Sequence, residues 1–590
     1  MNTSSTDALP IGVPSLFQFL VDATMTSTMM EGASKDPETL FKLLMGTLVA
    51  TAITAKAWPY LTKSFGSWIG HEDCNDFGSS SNNTNANKQN SLEVMLLQKR
   101  YLPVFYLFRM SFWMSGPYFY QAYLSKTLRH MDGTTSPATV EFVSKVSLVG
   151  YLAIVLLGPM VGRWIDRYGR KTATVCTGAM YALGSLTIFS NLPIVLYAGR
   201  AVASIASSRL TSTPEAWLIQ EYLRIQTKRK RNRKQNGESN NNDNDNSGLS
   251  EIFGLAYGGD AIVAILAGQT ASLAASEADH PTGPFLVSPL FVTGALLLTL
   301  FFWVENKGSE CKQCNQTTPN EEPKFPPALE STSMRTVTKV IFSDPKILLA
   351  GLVQSLFEGS MYIFVLAWPP ILSDGIRSAY GPTATIPFGT IFSCFMACGL
   401  LGSVGFGILQ TKSVDVKRIM TGILWVSTLV FSWSVRAIQT NNLFGIVAAF
   451  FTFEACVGMY FPSIGTIRSE LLPEKHRCAI TTLFAVPLNI LVVGVISFQP
   501  MLGNVGSLTI ATFAMGVAAM CMVVLERKVQ KEEDKEVSSA KKNWTKLRNA
   551  TLSRRYTTLS RRHSSCVPNL TKIESFCLER LSFVDEEETD

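Results

Sequence analysis

The sequence predicts an all-α polytopic membrane protein, two six-helix halves plus one extra N-terminal transmembrane helix. Three observations predict it. Hydrophobic residues make up 47 % of the 590 residues and charged residues only 16 %, at a mean hydropathy of +0.18. The charges are segregated into connectors between long charge-poor stretches, the pattern of a chain that crosses a bilayer repeatedly. Each apolar stretch spans about 20 residues or more, roughly 30 Å of helix, which matches the hydrocarbon thickness. A polar stretch over 305–345, with Pro, Glu, Lys and Cys, divides the stretches into six and six.

In chain order, residues 1–39 are polar and rich in Ser, Thr and Met. They lack the basic start and short apolar core of a cleaved signal peptide and read as a flexible tail. Residues 40–61 form the extra transmembrane helix, with Lys42 and Lys56 near its ends, where they can snorkel. Residues 62–100, including a Ser-Ser-Ser-Asn-Asn-Thr-Asn-Ala-Asn run, read as a low-complexity linker. The N-terminal half, 101–304, holds segments near 101–124, 139–161, 172–191, 193–221, 251–276 and 284–304. Residues 305–345 read as a central cytoplasmic loop. The C-terminal half, 346–526, holds segments near 346–371, 385–410, 417–437, 442–467, 477–500 and 505–526. Residues 527–590 read as a disordered cytoplasmic tail.

Connector charge orients the segments. Arg163, Arg167, Arg170 and Lys171 follow the second, Lys228 to Lys234 the fourth, Lys412, Lys417 and Arg418 the eighth, and Arg468, Lys475 and Arg477 the tenth. Alternate connectors hold scattered cations such as Lys126, Arg129 and Arg377, so the even-numbered exits face the cytoplasm. The sequons at Asn82, Asn315, Asn543, Asn549 and Asn569 then face the cytosol, leaving Asn2 as an acceptor. In the tail, paired arginines precede Thr557, Ser564 and Ser565, which offers phosphorylation sites and a basic cluster for anionic lipid.

The net charge of +7 sits in connectors and tail, as cytoplasmic Lys and Arg excess explains without nucleic acid. The eleven cysteines are scattered; Cys311 and Cys314 form a lone CxxC with no second pair for a metal. With no GxxxxGK[ST] loop and no catalytic constellation, neither ATP-driven transport nor an enzyme is expected, and no cofactor.

Ionisable residues within apolar segments are costly, so each is a candidate for a transport path as well as for structural pairing. The fourth segment carries Arg200, Ser204, Ser208, Thr211 and Glu215 as one polar stripe. Arg209 lies half a turn out of phase with Arg200, so only one of the two faces a cavity. The seventh carries Gln354, Glu358 and Tyr362 at i, i+4 and i+8. Glu358 serves either proton coupling or a tie between helices, and Glu454 of the tenth segment reads the same way. Arg109, ahead of Trp113, Gly116, Pro117, Tyr118 and Tyr120, either contacts an oxyanion or pairs with Asp260 or Glu358.

Between the second and third segments runs Gly-Pro-Met-Val-Gly-Arg-Trp-Ile-Asp-Arg-Tyr-Gly-Arg-Lys, residues 158–171. Pro159 is expected to end regular hydrogen bonding there, and Asp166 to cap the following helix. Gly162, Asp166, Arg167, Gly169, Arg170 and Lys171 form a GxxxDRxGRK pattern that resembles the signature loop of the major facilitator superfamily. The second half carries a worn echo of it from Gly402 to Arg418.

Longer runs narrow the resemblance. Gly-Pro-Tyr at 116–118, Glu-Ala-Trp at 215–217, Phe-Glu-Gly at 357–359, Trp-Pro-Pro-Ile-Leu at 368–372, Ile-Phe-Ser-Cys-Phe-Met-Ala at 391–397, Tyr-Phe-Pro-Ser at 460–463 and Val-Pro-Leu-Asn at 486–489 are similar to the molybdate-anion transporter family. The resemblance covers about 101–525 and implies a secondary carrier of molybdate, a tetrahedral dianion, with Glu215, Glu358, Glu454 and Arg200 on the family's charged positions. Where the family tends to have Asp and Gln before Gly-Pro-Tyr, this chain has Phe112 and Ser115; where the family has Arg before Val-Pro-Leu-Asn, it has Ala485.

The reading is a monomeric carrier in the plasma membrane, taking up molybdate by rocking two halves about a midplane site. Arg109, Arg200, Tyr120, Gln354 and Tyr362 are the candidate substrate contacts, and Glu215, Asp260, Glu358 and Glu454 the proton-coupling or cavity carboxylates. Sulfate or an organic anion as cargo, or a membrane receptor on the same fold, are the rival readings.

Overall fold

The computed structural model describes residues 36–68, 84–235, 247–306, 334–473 and 477–563. Among them, ten helices are long and apolar enough to cross a membrane. The expected extra helix is α1, Pro37–Trp68. The first core segment is α2, Thr84–Ser115, which breaks at Gly116-Pro117 before the short α3, Phe119–Leu124. A hairpin of β1, Thr127–Arg129, and β2, Thr135–Pro137, follows with Leu128 opposite Ser136. The end of the bundle that carries it is called the hairpin end below, and the other the loop end. In the hairpin the Thr134 N–H and hydroxyl donate to Asp132, holding its carboxyl below the usual range. Burial lowers the neighbouring Lys126 ammonium from its ordinary value.

The N-terminal half continues with α4, Val140–Tyr168, α5, Arg170–Leu186, α6, Pro193–Ser207, α7, Ser212–Gln235, α8, Ser247–Glu277, and α9, Gly283–Phe302. A short amphipathic helix, α10, Met334–Ser343, buries Val337 and Ile341 against Ile347, Leu472, Ile480 and Phe484. The C-terminal half is α11, Pro345–Tyr380, α12, Phe388–Thr411, α13, Val416–Gln439, α14, Leu443–Leu471, and the start of α15, Arg477–His563. The candidate span in α15, 50 residues long, has length for two passes around the kink at Gly503. Side-chain caps start three of these helices: Asp344 accepts from the Lys346 N–H at 2.8 Å, Asp415 from Lys417 at 3.2 Å and Asn442 from Gly445 at 3.0 Å.

Four expectations are corrected. Helix enters the supposed linker from both sides, to Trp68 and from Thr84, with 69–83 outside the described residues. Pro159 does not end α4, which runs on to Tyr168. The fourth segment is two helices, because the chain turns over 208–211 between α6 and α7, and its polar stripe is therefore interrupted. The tail, expected to be disordered from 527, continues as helix through His563. Lys, Glu, Gln and Arg there are strong helix formers with opposite charges interleaved. The bundle ends at Val524, and Leu525 onward forms a separate unit.

In the N-terminal half α2 packs on α8 and α9, α5 on α6 and α9, and α4 on α6, around Tyr101, Phe105, Phe108 and Trp217. In the C-terminal half α14 lies against α11, α12 and α13. A Cβ on Gly458 would overlap the Gly399 carbonyl and one on Gly402 that of Ala455, so α12 and α14 touch backbone to backbone. The extra helix α1 buries Phe41, Leu44, Leu48 and Ala52; it packs on α12, where the Cys394 thiol donates to the Phe41 carbonyl at 3.5 Å.

The halves meet toward the hairpin end. There α8 and α12 approach so closely that a Cβ on Gly389 would overlap the Gly268 carbonyl. Gln269 donates to Ser393 at 3.0 Å, and Ser393 donates to the Ile265 carbonyl at 2.8 Å. Ser144 of α4 donates to Gln499 of α15 at 2.6 Å. Toward the loop end Tyr257 of α8 is 51 % exposed and Ile408 of α12 42 % exposed.

Candidate functional site

Arg109 and Arg200, alike in the sequence, have opposite surroundings. Arg109 on α2 is held by Asp260 on α8 through two hydrogen bonds, Nε to Oδ1 at 2.7 Å and Nη2 to Oδ2 at 2.6 Å. Trp113 Nε1 donates to the same carboxylate at 3.0 Å, and Arg109 Nη1 reaches Thr211 at 3.3 Å. Thr211 lies in the break of the fourth segment, so the interruption supplies a third element to the cluster. The guanidinium also lies over Trp113 and Phe112, 4.6 and 5.3 Å from their centroids. Of the two roles the sequence left open for Arg109, the structure shows the pairing with Asp260.

Arg200 on α6 has no carboxylate partner among the described residues. Its guanidinium carbon lies 4.4 Å from the Phe119 centroid, a cation–π contact from the short helix α3. Its Nε and the Ser204 hydroxyl, one turn apart, are both buried without a hydrogen-bond partner, pressed against Gly150 of α4. Tyr123, Tyr151 and Tyr181 lie within its electrostatic reach. Tyr151 of α4 meets Tyr362 of α11 edge-on at 6.0 Å, a contact between the two halves.

The carboxylates separate as well. Glu215, at the start of α7, accepts a hydrogen bond from Tyr257 of α8, one turn before Asp260. Glu358 on α11 accepts from Tyr460 of α14 at 3.2 Å, and Gln354 lies one turn away on the same helix. Glu454 is buried in α14 beside Cys398 of α12. Asp260 is neutralised by Arg109. Tyr120 lies on α3, with Asp374 and Arg377 at the hairpin end of α11 as its charged neighbours, which puts it at the seam between halves. The candidates thus do not converge on one point: Arg109, Asp260 and Glu215 form one group, Gln354, Glu358 and Tyr460 another, and Arg200 a third.

In the signature loop, Gly169 takes a positive φ of 104° between α4 and α5. Side chains of 162–168, Gly162, Asp166 and Arg167 included, lie outside the described residues. The N-terminus of α5 is capped by Glu305, whose Oε1 accepts from the Lys171 N–H at 3.0 Å and Oε2 from the Thr172 N–H at 2.9 Å and hydroxyl at 2.6 Å. Glu305 thus fills the role assigned to Asp166, and a Cβ on residue 169 would run into it. The Arg170 N–H donates to the Asn306 carbonyl at 3.3 Å, and Lys171 Nζ to the Leu300 carbonyl at 2.9 Å. Trp217 stacks on Trp303 at 3.9 Å just before this junction.

Sequence reasoning missed Phe119, Tyr151, Tyr257, Tyr460 and Glu305. Only two carried a signal: Tyr257 shares a helical face with Asp260, and Tyr460 sits in one of the runs singled out. At the two positions before Gly-Pro-Tyr, Phe112 lies beneath Arg109 and Ser115 shares a hydrogen bond with Tyr181 at 2.8 Å.

Two helical halves that touch at one end, with charged and aromatic side chains facing the seam, define a membrane transporter. A family profile described as sugar transporters with 12 transmembrane helices matches residues 73–456, and one described as the major facilitator superfamily matches 352–564. The molybdate-anion transporter of Takifugu rubripes is 26 % identical over 415 residues, covering 67 % of this chain and 77 % of that protein. That of Danio rerio is 25 % identical over 450 residues, covering 72 % and 85 %. Among solved structures, the POT family transporter PepTSo has a TM-score of 0.53 at 10 % identity, covering 74 % of this chain and 98 % of that one. The nucleoside transporter NupG has a TM-score of 0.51 at 13 % identity, covering 73 % and 99 %. The chain belongs to the major facilitator superfamily and is similar to the molybdate-anion transporters.

Proposed function

We propose that this transporter is a secondary active carrier that takes up molybdate, or a similar tetrahedral oxyanion, by alternating access. The observation that carries the reading is Arg200, a guanidinium with no carboxylate partner among the described residues, beside the Phe119 ring and one turn from the unpartnered Ser204 hydroxyl. A cation in a poorly solvated setting gains most from a partner of opposite charge, and the guanidinium fork matches two oxygens of an oxyanion. Arg109, already neutralised by Asp260, serves instead to hold α2, α8 and the turn before α7 in register. On the orientation that connector charge supports, the hairpin end is outside. The closed contacts of α8 with α12 and of α4 with α15 then correspond to a state open to the cytoplasm.

The test is uptake of molybdate at nanomolar supply by cells lacking their own carrier and expressing this chain, with excess sulfate as competitor. Saturable uptake that resists sulfate and falls roughly a hundredfold in Arg200→Ala, the scale of a lost charge-assisted contact, is the expected result. Arg200→Ala transporting at the wild-type rate from an equal amount of surface protein overturns the assignment. Inhibition by sulfate in proportion to its concentration shifts the cargo to sulfate.

A further inference from the structure

Lys126 is a cation for which the carrier reading has no task. It follows α3 directly: Ser125 keeps helical dihedrals, and the Lys126 N–H donates to the Tyr123 carbonyl at 3.3 Å. Its own carbonyl accepts from the Ala138 N–H at 2.8 Å, which fixes the residue at the root of the hairpin. The hairpin is held in turn by the Arg129 N–H, which donates to the Asn191 carbonyl at 2.9 Å. A lysine just past a helix end commonly bonds the last carbonyls. Here 9 % of the residue is exposed, yet the ammonium forms no hydrogen bond and no ion pair among the described residues, and no carboxylate offsets its burial. The carboxylates next to it in the chain are engaged elsewhere, Asp132 with Thr134 and Glu141 with Lys145 at 2.7 Å.

The spacing i, i+4, i+7 puts Phe119, Tyr123 and Lys126 on one face of this helical stretch. The Phe119 and Tyr123 rings touch, 4.8 Å between centroids, and Phe119 lies over the Arg200 guanidinium. That face therefore runs from Arg200 to the hairpin end, with a cation lacking a carboxylate at each end and two aromatic rings between. Contacts of α3 with both α4 and α11 place it at the seam, where Tyr120 has Asp374 and Arg377 as neighbours. A charge withdrawn from water without a partner is unfavourable, and a bound anion relieves it. Resting on the carrier reading above, we propose that Lys126 is an outer capture site, which a free tetrahedral oxyanion occupies before it reaches Arg200. An ammonium is a compact point charge on a flexible stem, without the planar fork of a guanidinium. Lys126 thus collects anions by charge and releases them readily, and selection among them falls to Arg200. A lipid phosphate offers the same chemistry; the free anion is favoured because the face that carries Lys126 leads inward to Arg200.

The full-length protein in liposomes decides this with two readouts. The first is acylation by a membrane-impermeant amine reagent, followed peptide by peptide in a mass spectrometer, with Lys145 on the same side as the internal reference. Millimolar molybdate is expected to slow acylation of Lys126 severalfold against sodium chloride of equal ionic strength and to leave Lys145 unchanged. The protection should be the same in phosphatidylcholine alone and with phosphatidylglycerol added. The second readout is molybdate uptake. Lys126→Gln should raise KM roughly tenfold, keep kcat within about twofold of wild type and lose most of the dependence of uptake on ionic strength, while Lys126→Arg stays close to wild type. Acylation of Lys126 that molybdate leaves unchanged overturns the proposal, as does protection that follows the phosphatidylglycerol content, which assigns the lysine to a lipid phosphate. Wild-type KM and salt dependence in Lys126→Gln overturn it as well. A wild-type protein that moves no molybdate but shows the protection refutes molybdate as cargo and leaves the capture site standing; uptake that needs Arg200, without protection of Lys126, does the reverse.

Discussion

Arg109→Ala should destabilise this protein far more than Arg200→Ala, although both remove one arginine from a membrane helix. Arg109 and Asp260 are each 15 % exposed and joined by two bonds of 2.7 and 2.6 Å. Removing one member of such a pair strands the other charge away from water, at about 3–5 kcal/mol. In Arg109→Ala, Asp260 keeps only the Trp113 indole donor among the bonds described above. Arg200→Ala strands no carboxylate and forfeits a cation–π contact with Phe119 worth about 0.5–2 kcal/mol. The assay is thermal unfolding of the purified proteins in one detergent, followed by elution as a monodisperse peak. Arg109→Ala and Asp260→Ala should each unfold several degrees below wild type, and Arg200→Ala close to it. Arg109→Leu combined with Asp260→Leu should regain most of the loss, because no unpaired charge remains. If the single variants unfold at the wild-type temperature, or the double variant loses the sum of both, the pair is not the buried tie described.

Two further perturbations probe the moving parts. Gly389→Val places a side chain where the Gly268 carbonyl lies, so it should hold α8 and α12 apart. Transport should be lost at normal surface expression, with a cysteine introduced at the hairpin end becoming reactive to an impermeant thiol reagent. Glu305→Ala removes three hydrogen bonds from the first turn of α5 and should cost about 0.5–2 kcal/mol, read as a lower unfolding temperature that Glu305→Asp partly restores.

The membrane passes were legible because apolar length is a strong signal and survives any packing arrangement. Breaks inside a pass were not read, although Pro214, which offers no N–H to the Leu210 carbonyl, marks the turn at 208–211; Thr211's bond to Arg109, joining residues 102 positions apart, carried no such mark. For the same reason the two arginines could not be ranked. Their difference lies in Asp260, a residue legible as a partner for either, and in Phe119, which carries no charge to mark it. Pro159 misled in the other direction, because α4 continues through it. Glu305 escaped notice because it ends an apolar segment, where a carboxylate looks like ordinary solvated punctuation; only the fold brings it to the start of α5, over 130 residues earlier.

The extra helix α1 is anchored by Phe41, Leu44, Leu48 and Ala52 and lies on α12, the helix that meets α8 across the seam. Two halves related by an axis along the membrane normal stand alike toward the lipid around them. Fastening another span to one half alone removes that equivalence: α12 cannot tilt without carrying α1 through the surrounding lipid or shearing its buried contacts. On the alternating access proposed above, the half that carries α1 would be the one whose tilt the bilayer resists, and bilayer thickness or lateral pressure would act on that half first.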